Sequence, residues 1–283
     1  GGAQLVRFLR PRLEAALKAD DDFELINLFH RNGPFADRLY AGTELLLKVA
    51  EAHRRLGFPI ESARLFQSLI RDSKAEAFHE VALMGLGESY LEQKDMRAAR
   101  AVFERYRLQF PVGRFAGQAL IGILTSFEGE GNTSGLVKLG KQWLIHNPRH
   151  PDRALIQLKV ADALRQAKRD AEAAPLYESV LKAGMDLSAL DRLRYADVLT
   201  RLNRQEPALA LYKQALIAGL EPEQEAWAQF QIVQLARGVK REEFARSGLR
   251  ALNENSDSLV RRMAAVLQTE LPEPVPTAGG KKR

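Results

Sequence analysis

Between Leu83 and Pro111 the chain carries residues whose spacing leaves it little choice of fold. Leu83, Leu86, Gly87 and Tyr90 recur at three- and four-residue intervals, and Ala99, Phe103 and Tyr106 do the same. Such intervals place each set on one stripe of a helix. The stretch therefore predicts two helices packed stripe to stripe. Gly87 and Ala99 are small where the two backbones must pass closely, and Phe103 fills the space beside them. Pro111 stops the second helix, because proline lacks an N–H and pushes the residues before it out of helical geometry. One such hairpin cannot bury its own apolar face. It needs a neighbour on each side, and that need predicts the rest of the chain.

Hairpins follow in both directions. Residues 4–18 and 22–31 read as a first pair, with Asp20 and Asp21 at the second helix's N-terminus, where acids suit the dipole. Asn32-Gly33-Pro34 breaks the chain, and helices at 36–56 and 60–71 follow, the second carrying Phe66. Phe66 to Phe103 is 37 residues. The pair at 113–128 and 134–147 is degenerate: GEGNTSG at 129–135 reads as a longer, flexible loop, and Leu139-Gly140 replaces the expected aromatic, with Trp143 on the same face. This pair is expected to be the least regular. Pairs at 152–167 with 170–183, and at 187–202 with 205–218, form the clearest internal repeat. There RDAEAAPLYESVLKAG aligns without gaps to RQEPALALYKQALIAG, and Tyr177 to Tyr212 is 35 residues. Gly184 and Gly219 suit left-handed C-caps. A last pair at 222–237 and 241–253 precedes a solitary helix at 256–269, N-capped by Ser256, that shields the final apolar face. LPEPVPTAGGKKR at 271–283 reads as a disordered tail. No stretch alternates as a strand does, so the fold class is all-α.

These offsets resemble the tetratricopeptide pattern, strongly at 75–111, well at 150–184 and 185–219, and by spacing alone in the degenerate pairs at 1–34 and 113–148. The resemblance covers residues 1–270. It implies a right-handed α-solenoid of about seven hairpins with a C-terminal capping helix, acting as a non-enzymatic scaffold for protein partners. The joints FPVGRFAGQALIGIL (110–124) and HNPRHPDRALIQLKVADAL (146–164) are similar to those of bacterial envelope proteins of this type, such as the Tol-Pal accessory protein and the Bam-complex lipoprotein. That likeness implies a bacterial multiprotein assembly in the periplasm or cell envelope, with the cytoplasm as the alternative.

In this family the first helix of each hairpin lines a groove. Register gives an acidic column, Glu51, Glu88, Asp162 and Asp197, interrupted by Ile123. One turn on stand Arg54, Arg55, Arg165 and Arg201, and beside them an apolar column of Leu47, Met84, Ala119, Leu158 and Leu193. Glu51–Arg55, Asp162–Arg165 and Asp197–Arg201 are spaced as intrahelical ion pairs, each worth about 0.3–0.5 kcal/mol. On that reading, reversing Asp162 and Asp197 costs about 1 kcal/mol or less. The same residues present a mixed-charge groove to a protein or peptide partner. Glu88, Asp162 and Asp197 stand where chaperone adaptors of the family carry asparagine, and their charge would repel a terminal carboxylate.

Other chemistries find little support. Cysteines number zero, which removes disulfides and thiolate metal sites. His146 and His150 are four apart, but Pro148 between them makes a turn, and His30, His53 and His79 lack a ligand cluster. Gly135 to Lys141 fits GxxxxGK, yet Gln142 follows where Ser or Thr belongs, within a predicted helix. No catalytic constellation is present, and no cofactor or metal is implied. Lys and Arg total 42 against 36 acids, a net charge of +6. Basic residues are dense at Arg97, Arg100, Arg105, Arg107 and Arg114, and near the end at Lys240, Arg241, Arg246, Arg250, Arg261 and Arg262. Nucleic-acid binding through these faces is the alternative function, and solenoid ends offer self-association. Gly1-Gly2 reads as a scar, with upstream sequence expected.

Overall fold

The computed structural model describes residues 2–32, 44–238, 242–255 and 258–269. Among them the structure is helical, without strands. Seven helix pairs run in order: α1 (Gly2–Lys18) with α2 (Asp22–Arg31), α3 (Glu44–Arg55) with α4 (Pro59–Arg71), α5 (His79–Glu92) with α6 (Met96–Gln109), and α7 (Ala116–Gly129) with α8 (Thr133–His146). Then come α9 (Arg153–Gln166) with α10 (Asp170–Lys182), α11 (Ala189–Arg201) with α12 (Gln205–Ala218), and α13 (Pro222–Gly238) with α14 (Glu242–Asn253). A fifteenth helix, α15 (Ser258–Thr269), lays Ala264 and Leu267 against Val233, Leu249 and Leu252, as a cap should. The expected start of the helix at 36–56, the Gly33-Pro34 break, the Ser256 cap, Lys240, Arg241 and the tail at 271–283 lie outside the described residues. The helices form two compact units, residues 1–159 and 160–283.

Identical turns close six hairpins. Each has three residues, and the middle one is left-handed: Asp20 (φ 54°), Gly57 (80°), Lys94 (61°), Gly131 (70°), Lys168 (56°) and Asn203 (58°). The third residue donates its N–H to the carbonyl five positions back, as Asp95 does to Tyr90 at 2.9 Å and Asn132 to Phe127 at 2.8 Å. This closure satisfies carbonyls that the ending helix leaves without partners. Asp21, Asp95 and Asn132 then cap the second helix by accepting from Glu24, Ala98 and Gly135 N–H at 2.9, 3.0 and 2.9 Å. From Asp20 to Lys168 the left-handed residues stand 37 apart, and Asn203 follows after 35. The loop expected at 129–135 is one of these turns, with Gly129 still in α7 and Thr133 already in α8. Gly131 adopts the positive φ without Cβ strain and Asn132 supplies the cap, so the residues that read as flexible are the ones this tight turn requires.

The constant turn holds side chains in columns. Phe29, Phe66, Phe103, Tyr177 and Tyr212 occupy one place in successive second helices, each at most 2% exposed. Phe103 also explains its glycines. A Cβ on Gly87 would lie 2.5 Å from its ring, and one on Gly122 of the next hairpin would also strike it. Gly87 is thus small to admit a ring, whereas the spacing had suggested close backbone passage. Phe66 relates to Gly85 in the same way.

Gly140 takes the aromatic's place in α8, and the lost volume returns from two other positions. Leu124 and Leu136, both buried, stand where other hairpins pair Ala50 with Ser62, Gly87 with Ala99, Ala161 with Ala173 and Ala196 with Ala208. Interiors tolerate such volume-conserving exchanges.

Candidate functional site

The first-helix side chains named from register divide into buried and exposed sets in each unit. In the first unit Leu47 and Met84 are 5% and 6% exposed and Ile123 fully buried, while Leu158 is half-buried. Counting 37 from Glu88 places Thr125, rather than Ile123, at the acidic column's third position. Glu51 receives Lys48 Nζ at 3.1 Å. Arg54 reaches to α5, lying 3.3 Å from Glu88 and 2.9 Å from Glu92. Burial raises the Glu88 pKa, with Arg54 opposing and Glu92 and Glu51 adding to the rise. Arg55 clamps Asp22 at the start of α2 with Nε 2.6 Å from Oδ2, and this bond holds the Asp22 carboxyl below its ordinary pKa.

A cleft of about 820 Å³ opens where α1, α2 and α3 meet. Ala16, Leu17, Leu25 and Leu45 give it apolar lining, and Glu14, Glu44, Lys48, Glu51 and Arg55 give it both signs of charge.

The second unit uses its column differently. Asp162, 8% exposed, accepts from Tyr177 Oη at 3.2 Å and Arg165 Nε at 2.8 Å, with Arg194 Nη1 at 3.1 Å. Asp197 accepts from Tyr212 Oη at 2.6 Å and Trp227 Nε1 at 3.0 Å. Burial, followed by the adjacent carboxylate, raises the pKa of both tyrosines. Arg201 grips Asp170 through two bonds of 2.7 and 2.8 Å, and Leu193 is 5% exposed.

Of the three expected intrahelical pairs, only Asp162–Arg165 forms. Arg55 and Arg201 instead reach the acid at the first residue of α2 and α10, the same place in two hairpins. That position already favours negative charge through the helix dipole. The expected small cost of reversing Asp162 is also corrected. Reversal would strand a tyrosine hydroxyl and set a third cation against two arginines, costing about 3 kcal/mol or more.

Acid and aromatic vary together along the chain: Glu51 with Phe66, Glu88 with Phe103, Thr125 with Gly140, Asp162 with Tyr177, Asp197 with Tyr212. A tyrosine hydroxyl needs a buried acceptor, which aspartate supplies with its short stem. Phenylalanine needs none, so glutamate reaches outward. The residue that sequence reasoning missed is Trp227. It is 43% exposed, stacks on Phe230 with centroids 6.0 Å apart, and borders a cavity of about 150 Å³ with Leu252 and Val260. Its spacing of three from Phe230 was the available signal.

The arginines considered for nucleic acid are partly engaged. Arg100 binds Glu130 through two bonds of 2.5 and 3.2 Å, Arg114 lies over the Phe115 ring at 4.5 Å, and burial lowers the Arg107 pKa. Residues 135–141 lie inside α8, where backbone N–H groups are already bonded. Among the described residues no helix is long and apolar enough to cross a membrane.

The model of the tetratricopeptide repeat matches residues 81–111. The C-terminal part of a TPR repeat-containing protein from Cytophaga hutchinsonii superposes with a TM-score of 0.67 at 12% identity, covering 90% of this chain and 98% of that one. This is the tetratricopeptide-repeat fold. Two further tetratricopeptide-like structures are similar. One is pilF of Pseudomonas aeruginosa (TM-score 0.62, 14% identity, 83% of this chain and 99% of that one). The other is a tetratricopeptide repeat protein of Parabacteroides merdae (0.57, 12%, 94% and 99%). No curated protein sequence matches the chain. The tetratricopeptide-repeat fold is in general a scaffold for protein–protein interaction.

Proposed function

We propose that the chain is a non-enzymatic scaffold that holds a protein partner's peptide segment on its first-helix face, with the α1–α3 cleft as the principal seat. The cleft carries this reading: it joins apolar lining to charges of both signs, and Glu51 and Arg55, named from register alone, border it. An amphipathic segment fits such a surface through apolar anchors and charge registry. Glu88 and Arg54 extend the same face within the first unit. Asp162, Arg165, Asp197 and Arg201 contribute mainly by positioning α9 to α13, since their polar atoms are already matched.

A photoreactive side chain at Glu44 or Lys48 should crosslink one partner that the same probe at Glu104, on α6, does not. Glu51→Lys with Glu88→Lys should release that partner while changing stability by about 1 kcal/mol or less. Equal crosslinking from Glu104, or full retention by the double variant, sinks the proposal.

A further inference from the structure

The packing of α2 on α3 contains a histidine pair that the groove does not use. His53 of α3 is 1% exposed. Its Nδ1 lies 2.7 Å from the Val49 carbonyl oxygen, which only accepts, so Nδ1 carries the proton and donates. In the neutral ring Nε2 is then a lone pair. That atom lies 2.8 Å from Nε2 of His30 on α2, so the His30 Nε2–H donates to it. The rings meet edge to face with centroids 4.9 Å apart, and Phe58 packs edge-on against His53 at 6.5 Å.

Two protonation steps have opposite effects here. His30 is exposed, and a first proton on its Nδ1 leaves every bond in place and strengthens the one to His53. A second proton has one site left, His53 Nε2. It would set N–H against N–H at the same 2.8 Å and place two cations side by side. The charged groups that face His53 are His30 from α2 and Glu61 and Arg64 from α4. Burial is the first cause holding the His53 pKa below the usual imidazole value; His30 and Arg64 act in the same direction, and the Val49 carbonyl and Glu61 oppose it.

We propose that His30 and His53 form a pH-sensitive joint: entry of the second proton parts α2 from α3 and reshapes the cleft between α1, α2 and α3. The joint does not depend on what the cleft binds. The folded chain binds this proton less readily than the unfolded chain, where histidine titrates near about 6.5. Its contribution to stability is therefore complete above that pH and is lost as pH falls below it.

Hydrogen exchange on the full chain, corrected for intrinsic rates, tests this at pH 7.5 and 5.5. Amides of α2 and α3 should exchange roughly tenfold faster at the lower pH, while those of α11 and α12 hold. His30→Gln should reduce the difference, because its amide donates to neutral His53 and its oxygen accepts from the protonated ring, which leaves only the cost of burying that charge. His53→Phe should abolish it, by removing the second site. His30 is exposed, so its variant carries the test even where the core variant folds poorly. Equal acid sensitivity in His30→Gln and wild type overturns the proposal, as does equal acceleration in α11 and α12.

Discussion

Phe103 and Gly122 depend on each other in a way a double mutant will read. Phe103→Ala removes a fully enclosed ring and should cost about 3–5 kcal/mol by urea denaturation. Gly122→Ala forces a methyl into that ring and should cost about 1–3 kcal/mol. Phe103→Leu combined with Gly122→Ala should cost less than Phe103→Leu alone and Gly122→Ala alone added together, because the smaller side chain vacates the space the methyl needs. Tyr212→Phe belongs to the same scale. It leaves half-buried Asp197 with one donor fewer, and about 1–2 kcal/mol should be lost. At this scale much was legible, since Phe103, Tyr177 and Tyr212 announce themselves by spacing. The partnership of each acid with its hairpin's aromatic was also written in the sequence, as Glu beside Phe and Asp beside Tyr. It was missed because the acids were read along their own helix, whereas hydroxyl and carboxylate meet between helices. Arg55 and Arg201 were misassigned for the same reason: a long side chain reaches a neighbouring helix as easily as its own next turn.

At the scale of the element, the hairpin turns set the geometry, and they are not equally well built. Lys94, Lys168 and Asn203 hold left-handed backbone with a side chain attached. Gly57 and Gly131 hold it without that strain. Lys94→Gly and Lys168→Gly should each stabilise the chain by about 0.5–1 kcal/mol, the relief of a left-handed residue less the added freedom of the unfolded chain. Gly131→Ala should cost about 1 kcal/mol. Thermal unfolding of the three variants beside wild type checks both signs. The α7–α8 pair shows how a hairpin can keep a regular turn where its sequence looks worn. Family-like residues are one solution to filling a hairpin, and Leu124 and Leu136 with Gly140 are another. A search for the first pattern passes over the second.

For the whole molecule, packing between neighbours makes damage local. Phe103→Ala should raise hydrogen exchange in α3, α4, α7 and α8 before it does so in α11 to α14, and uniform acceleration would argue against an array. The order of the described helices was legible, because each hairpin's apolar stripe demands the next. Which first-helix residues stay exposed for the proposed binding face was less so, since burial of Leu47, Met84 and Leu193 depends on how far one hairpin covers its neighbour. The interval of 37 between left-handed turn residues has one more consequence. A chain lacking the thirty-seven residues 58–94 would join Gly57 directly to Asp95 in an unchanged turn, with Asp95 still capping α6. Phe66 would leave together with Gly85, which admits it, and Ala50 would take the place of Gly87 beside Phe103, so the shortened chain needs Ala50→Gly to keep the room that ring requires. Such a chain should still unfold in one cooperative step. Copied or skipped in units of this length, the sequence can grow or shrink without any core being invented anew.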